Sequence, residues 1–350
     1  MKLMNVTALL FSAAAGVFTL ASAQQTEQPA GPRLSAVVQL KNSKSNKLSA
    51  LTLVPPTNMA KGVFAYITSD NPEQPVERST KEFKVFLVTT PPELVVAARA
   101  YADGSLSTAA RQLGSVRSKY MPFVALPDNP TQKAAWMELN CYARLQDWAG
   151  LGKLAAAFPG AEFLSSQDRL VLEAARILSH VSDDPTTAAS RQKEVEAFLG
   201  NSSNKKRLTP TAYAWIKYAQ ARAASGAFTE DMLKNGIPEA KAAAATQAVD
   251  ALCEAAMATR GRDMELPLDA MKRAFAIMWA MPGVKSYSNT AKKMDKKVWE
   301  SAPIDFREAV SLAYMIQNIF EPDCKDDNIR KAASFFFNAQ KGKKSAEAKK

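Results

Sequence analysis

The hydrophobic pattern of this chain changes its period at Thr90. Before that point, short runs rich in β-branched and aromatic residues alternate with turn-forming stretches. After it, apolar residues recur at helical spacing as far as about Gln340. A strand buries every second residue, whereas a helix buries one face with a period of about 3.6 residues. The sequence therefore predicts a mainly α protein in which a small β module precedes a long helical region.

Four strands in an antiparallel sheet are predicted for the β module. The strand-like runs cover residues 36–40, 48–54, 62–68 and 83–88. Turn-forming stretches rich in Pro, Asn and Ser separate them at residues 42–46, 55–58 and 69–75. A sheet this small needs an apolar partner, and the first helix can cover one of its faces.

The segment Thr90-Pro91-Pro92-Glu93 predicts the start of the helical region. Thr90 can cap the helix, Pro91 would lie where a missing N–H costs nothing, and Glu93 can complete a capping box. Abundant alanine and only 14 glycines favour helix throughout this region. We expect helices of about 12 to 25 residues. The predicted breaks are residues 127–130, 159–160, 183–185, 200–204, 236–238, 282–283 and 322–323.

Two segments of the helical region share a pattern of small and aromatic residues. The first unit carries Ala97, Ala100, Gly104, Leu106 and Ala109. The second carries Leu139, Tyr142, Gln146, Trp148 and Leu151, and ends at Pro159. Across about residues 93–159 this arrangement resembles the tetratricopeptide repeat, with the two units 42 residues apart against a family period of about 34. The resemblance implies a helical-hairpin α-solenoid with a binding or scaffolding role. A compact, non-repeating helical domain is the alternative.

The first 23 residues have the pattern of a secretory signal peptide. Lys2 precedes an apolar stretch at residues 9–20, and Ala21-Ser22-Ala23 forms a small-x-small cleavage site. The apolar stretch is too short to span a bilayer, and no cysteine lies near the cleavage site. We therefore expect an exported bacterial protein, periplasmic or secreted, that is not a lipoprotein. The expected organisation is a signal peptide (1–23), a flexible leader (24–33), the β module (34–89), a helical repeat domain (90–340) and a disordered lysine-rich tail (341–350).

The net charge of +11 bears on the partners of an exported protein. Outside the cytoplasm it favours an anionic polymer or a membrane surface over nucleic acid, and a simple gain in solubility is the alternative. One candidate anionic-partner face carries Lys292, Lys293, Lys296 and Lys297, which share a helical face by i, i+4 spacing. Residues 335–337 are three phenylalanines before the tail; they can close the end of the helical array or anchor it to a membrane surface.

Three cysteines are too few for a disulfide framework. One bridge with a free thiol and no bridge at all are both compatible with Cys141, Cys253 and Cys324. Cys141 and Cys253 lie in alanine-rich helical stretches, where a cysteine is usually a small buried hydrophobe.

The single histidine, His180, limits the chemistry that this chain can perform. A zinc site with two or more histidines cannot form within one chain, and no phosphate-binding loop or nucleophile elbow is present in the sequence. His180 lies at a predicted helix C-terminus near acidic residues, which is a sufficient structural explanation. Asp326 or Asp327 is expected to cap a helix, and most of the five tryptophans are expected to pack between helices. We expect no catalytic residue, cofactor or metal.

These patterns predict an exported, non-enzymatic binding or scaffold protein. The expected partner is a protein or peptide held against the helical-repeat surface. A glycan-acting hydrolase that uses a carboxylate pair is the first alternative, because such a pair leaves no sequence motif. A structural subunit of a surface assembly is the second alternative.

Overall fold

The computed structural model describes residues 31–41, 48–68, 70–181, 184–201, 204, 206–260, 264–290 and 296–336. The predicted signal peptide, most of the leader and the lysine-rich tail lie outside these ranges. So do Lys292 and Lys293, whereas the backbone of Lys296 is described.

An antiparallel sheet forms the N-terminal part of the chain. Its strands are β1 (Leu34–Leu40), β2 (Ser49–Val54), β3 (Val63–Thr68), β4 (Asn71–Ser79) and β5 (Phe83–Val88). Their order across the sheet is β4-β3-β2-β1-β5. The chain returns to pair β5 with β1, where Ala36 lies opposite Val88 and Val38 opposite Phe86. The sheet is therefore a meander whose last strand crosses back to the free side of the first.

Strand β4 corrects the sequence prediction of a turn over residues 69–75. Pro72 and Pro75 made this segment resemble a turn, yet both lie within a strand. β4 is an edge strand that pairs only with β3. A proline is tolerated there because one side of an edge strand makes no ladder hydrogen bonds.

Helices form the rest of the described chain. They are α1 (Pro92–Ala102), α2 (Leu106–Lys119), α3 (Pro130–Leu145), α4 (Trp148–Ala156), α5 (Ser166–Ser179), α6 (Pro185–Gly200), α7 (Pro210–Ser225), α8 (Glu230–Asn235), α9 (Ala242–Thr259), α10 (Glu265–Ala280), α11 (Pro282–Thr290), α12 (Lys296–Ser301), α13 (Ile304–Met315) and α14 (residues 327–336). A π-helical turn, Ile316–Phe320, extends α13. The mainly helical class with a small antiparallel sheet is confirmed. The length expectation is wrong for α4, α8, α11 and α12, which have nine, six, nine and six residues.

The start of α1 differs from the predicted capping box. Pro91 is the N-cap, Pro92 is the first helical residue, and no side chain caps the helix. Pro92 disfavours helical dihedral angles at the residue before it, and Pro91 accordingly has an extended ψ of 149°. The helix therefore begins one residue later than the position that would let Thr90 cap it.

One face of the sheet packs on the first helices. Leu34, Val38 and Phe64 from the strands share a buried cluster with Leu94 of α1 and Leu113 of α2, and α3 adds further residues. The expectation that α1 covers the sheet is confirmed, and α2 and α3 extend the cover. Sheet and first helices thus form one hydrophobic core across the change of period at Thr90.

A second core runs from α3 to α14. Successive helices pack as neighbours from α1 to α5, most extensively α2 with α3, while α7 contacts α5, α6, α9 and α10. Helix α10 contacts α7, α8, α9, α11 and α13, and it also touches α3. Within the described residues, no helix is both long enough and apolar enough to cross a membrane.

An ion pair joins α3 to the start of α10, 121 residues further along the chain. The Arg144 Nε and Nη2 atoms donate to the Glu265 Oε2 and Oε1 atoms at 3.1 and 2.9 Å. The Arg144 guanidinium also lies 5.2 Å from the centre of the Tyr101 ring. Burial disfavours the charged carboxylate, but the hydrogen bonds from Arg144, hydrogen bonds from the Glu265 and Met264 backbone and the positive charge of Arg144 together outweigh it and lower the pKa of Glu265. The pair therefore stabilises the contact between distant parts of the chain while Glu265 is ionised.

We predict that Glu265→Gln lowers the free energy of unfolding at pH 7 by about 1 kcal/mol, since the carboxylate is partly exposed and screened. The folded-state pKa lies below the unfolded value of about 4.3, so the stabilisation is present above that value and is lost as the pH falls through the folded pKa. Urea denaturation from pH 7 to pH 3 should show the two proteins converging at acid pH. Glu308→Gln, at an exposed position, is the control; a difference that persists at pH 3 would contradict the assignment.

Gly160 occupies a left-handed turn before α5, with a φ of +64°. A Cβ atom there would lie 2.6 Å from Val124 Cγ2 and 3.1 Å from Phe163 Cδ2. Gly104, between α1 and α2, has a φ of +76°, but a Cβ atom at that position would meet no other atom within 4 Å. The two glycines therefore share the backbone requirement and differ in the crowding around them.

We predict that Gly160→Ala destabilises the protein by about 1–3 kcal/mol more than Gly104→Ala. Both alanines bear the left-handed backbone cost of about 1–2 kcal/mol, so the difference isolates the steric clash. Thermal and urea unfolding of the two variants would measure it. Equal losses would show that the neighbours of Gly160 move aside freely.

Candidate functional site

A groove of about 730 Å³ lies between α4, α5 and α6; we call it the α4–α6 groove. Its lining comprises Trp148, Ala149, Gly152, Ala156, Glu173, Arg176, Ile177, Ser179, His180, Glu194, Ala197, Phe198, Asn201 and Asn204. The helices contribute one after another along the chain, so the groove runs across three successive elements of the helical region.

Small side chains on two helices create the space. Ala149 and Ala156 on α4 and Ala197 on α6 are exposed and line the groove. At Gly152, between Ala149 and Ala156, α4 approaches α5 closely, because a Cβ atom on Gly152 would lie 2.8 Å from Ser179 Oγ. Ile177 and Phe198, both buried, also line the groove and belong to the hydrophobic core. The groove therefore combines an apolar floor with walls that bear short side chains.

Charged side chains line the remaining part of the groove. His180 Nδ1 lies 3.0 Å from both carboxylate oxygens of Glu194. A carboxylate only accepts hydrogen bonds, so Nδ1 carries the proton and donates. His180 is the C-cap of α5, as the sequence predicts, and the contact joins that helix end to α6. With 54% and 37% of these side chains exposed, the pair is open to solvent and to a ligand.

A buried polar network lies behind the groove. The ring of Trp148 is 6.1 Å from that of Tyr218, which is fully buried in α7. The Tyr218 hydroxyl donates to Asp269 Oδ2 at 2.6 Å and accepts from Arg222 Nη1 at 3.1 Å. Burial and the neighbouring Asp269 carboxylate raise the pKa of Tyr218, so its hydroxyl keeps the proton that it donates. This network links the groove wall to α10.

The chemistry of the groove suits binding. Its apolar floor can take hydrophobic side chains, while Glu173, Arg176 and the amides of Asn201 and Asn204 can make polar contacts to an extended chain. Among the described residues, no group of three or more His, Cys, Asp or Glu side chains is arranged to hold a metal ion.

The lysine face predicted from the sequence is only partly described. Lys297 is exposed on α12, whereas Lys292, Lys293 and the side chain of Lys296 lie outside the described part of the chain. The face therefore stays a prediction.

The three cysteines are free thiols. Cys141 is buried, and burial raises the pKa of its thiol to about 11. Cys253 corrects the expectation of burial, because it is exposed. The buried stripe of α9 includes Leu252 and Ala255, and Cys253 lies one residue off it.

Other sequence predictions concern packing and capping. Asp326 Oδ1 accepts from the backbone N–H groups of Asn328 and Ile329, so it caps α14 as expected. Phe335 and Phe336 pack against Phe306 and Tyr314, with ring centres 5.7 and 4.4 Å apart. The tryptophans are Trp215, which is buried, and Trp136, Trp148, Trp279 and Trp299, which are partly buried against the core.

The groove alanines are functional candidates that the sequence did not single out. Alanine is abundant throughout the helical region and favours helix wherever it stands, so its pattern does not distinguish a groove wall from a packed face. Only the placement of α4 and α6 relative to each other shows that these alanines form a groove wall and not a packed helix face.

We predict that Tyr218→Phe lowers the free energy of unfolding by about 1–3 kcal/mol, because it leaves buried partners without the hydroxyl. The ring and its packing against Trp148 are kept, so the groove should retain its shape. Urea unfolding would measure the loss. Tyr213→Phe, at an exposed position on the same helix, is the matched control and should lose less.

No family model, curated protein or solved structure matches this chain. The function of the protein must therefore be inferred from its own residues and geometry.

Proposed function

We propose that this chain is an exported, non-enzymatic binding protein that holds a peptide segment of a protein partner in the α4–α6 groove. The export part of the proposal is supported by the signal-peptide pattern of residues 1–23. The peptide-binding part is supported by one observation above the others: an open groove with an apolar floor and a charged edge crosses three consecutive helices.

The openness and the lining of the groove favour a peptide over a small ligand. Its volume of about 730 Å³ would suit a small ligand as well, but the groove is open to solvent rather than enclosed. Ile177 and Phe198 offer an apolar surface, and Arg176 and Glu173 offer charges of both signs on α5. An amphipathic or extended segment with one or two apolar anchors fits this lining.

The helical-hairpin arrangement supports the same proposal. Helices α1–α2 and α3–α4 form consecutive pairs with tight turns at Gly104 and Gln146, whose φ angles are +76° and +56°. We propose that these pairs begin an irregular α-solenoid of the tetratricopeptide type. Solenoids of this kind commonly bind partners on surfaces that span several repeats.

The test is to fill the groove without disturbing the core. Ala156→Trp and Ala197→Trp place large side chains at exposed groove positions and should reduce partner binding at least about tenfold, which corresponds to the loss of one well-packed anchor. Ala189→Trp, exposed on α6 outside the groove lining, is the matched control. All three should unfold at nearly the same temperature as the natural chain.

A photo-crosslinking amino acid identifies what is bound. Placed at position 197 in the exported full chain, it should yield one dominant crosslinked protein in the native cell, while the same group at position 189 should not. Equal crosslinking from both positions, or undiminished binding by both groove variants, would contradict the proposal.

A further inference from the structure

A second groove, of about 660 Å³, lies between α8, α10 and the start of α14; we call it the acidic groove. Its lining comprises Glu230, Asp231, Leu233, Lys234, Phe275, Ala276, Trp279, Asp326 and Asn328. It is formed by other helices than the α4–α6 groove, and the proposed function does not use it.

Three carboxylates give this groove its charge. Glu230, Asp231 and Asp326 are all exposed, and no ion pair is formed by any of them within the described residues. Asp231 Oδ1 accepts from the Asn235 side chain at 2.6 Å, and Asp326 Oδ1 accepts two backbone N–H groups. These contacts are to neutral donors, so they leave the negative charges in place. Lys234 is the one basic residue of the lining.

An aromatic surface lies beside the carboxylates. Phe275 and Trp279 are stacked with ring centres 5.6 Å apart, and Trp279 is only partly buried. Trp279 also packs against Phe306, with ring centres 6.0 Å apart, and its exposed part gives the aliphatic stems of lysines an apolar surface to pack on. Carboxylates and a partly exposed indole together therefore favour a lysine-rich ligand.

The path of the chain brings such a ligand close. Asp326 immediately precedes α14, which runs through residues 327–336 and so spans about 15 Å. Five further residues reach Lys341, and five extended residues cover about 17 Å. The chain after α14 can therefore turn back along the helix and place Lys341 and the following residues at the groove. Residues 341–350 contain five lysines and a single glutamate.

We propose that the lysine-rich segment 341–350 of this chain docks in its own acidic groove. Charge complementarity supplies the attraction, and the short connection to α14 keeps the segment close to the groove. Each exposed ion pair contributes little and is weakened by salt, so docking is an equilibrium between bound and released segments that low ionic strength favours. The released state leaves the groove open to a basic segment of another protein, which would compete with the tail for the same carboxylates.

Limited trypsin digestion of the full chain tests this, because docking protects the bonds after Lys341, Lys343 and Lys344. At about 20 mM salt, the variant Glu230→Gln/Asp231→Asn should release the tail about three- to tenfold faster than the natural chain. Glu308→Gln/Asp250→Asn removes the same number of exposed carboxylates elsewhere and should leave the rate unchanged. Raising the salt to about 500 mM should bring all three proteins to one rate. Equal rates at low salt would overturn the proposal.

A second measurement requires no variant and so does not depend on the folding of one. Zero-length carbodiimide crosslinking of the natural chain, followed by mass spectrometry of the monomer band, should join Lys343 or Lys344 to Glu230 or Asp231. Crosslinks confined to dimers would show that the groove takes the tail of a second copy, and crosslinks spread evenly over surface carboxylates would show that the tail does not dock. Either result would overturn the intramolecular assignment.

Discussion

The packing of α7 and α10 against their neighbours holds the helical region together. Alanines at the contacts, such as Ala212, Ala219, Ala270 and Ala274, are almost completely buried. Alanine loses no side-chain entropy on folding and allows two helix backbones to approach closely. The same close approach leaves little room for polar groups. The buried Tyr218 hydroxyl finds one partner across the interface, Asp269 of α10, and a second on its own helix, Arg222. Both candidate grooves border this central packing, since Trp148 contacts Tyr218 and Trp279 belongs to α10.

Much of the fold was predictable because local signals and tertiary structure agree. The predicted break at Pro159-Gly160 lies between α4 and α5, and at the predicted break 282–283 Pro282 is the first residue of α11, since proline restricts the backbone directly. The sequence prediction was wrong where two local signals favoured different structures. The prolines of β4 indicated a turn, but the edge of a sheet accepts them. At Pro91-Pro92, the second proline decided the helix start and overrode the favourable cap at Thr90.

The candidate sites were less predictable than the fold. His180 was placed correctly at a helix end, but its partner Glu194 lies on another helix, and no local pattern indicates which carboxylate would reach it. The acidic groove assembles residues from positions near 230, 275 and 326. Sites of this kind depend on distances between elements far apart in sequence. Periodicity gives the buried face of each helix, not the neighbour that it meets.

The exposed alanines of the α4–α6 groove have a consequence for how this protein could change over evolutionary time. Ala149, Ala156 and Ala197 shape the cavity, yet none of them contributes to the buried core. Substitutions at solvent-facing helix positions usually alter stability by less than about 0.5 kcal/mol. A larger or charged residue at any of the three would thus remodel the contour of the cavity at almost no cost to folding. The stability of the fold therefore depends little on the residues that shape the cavity. Related chains could differ in what they recognise while keeping the same helices.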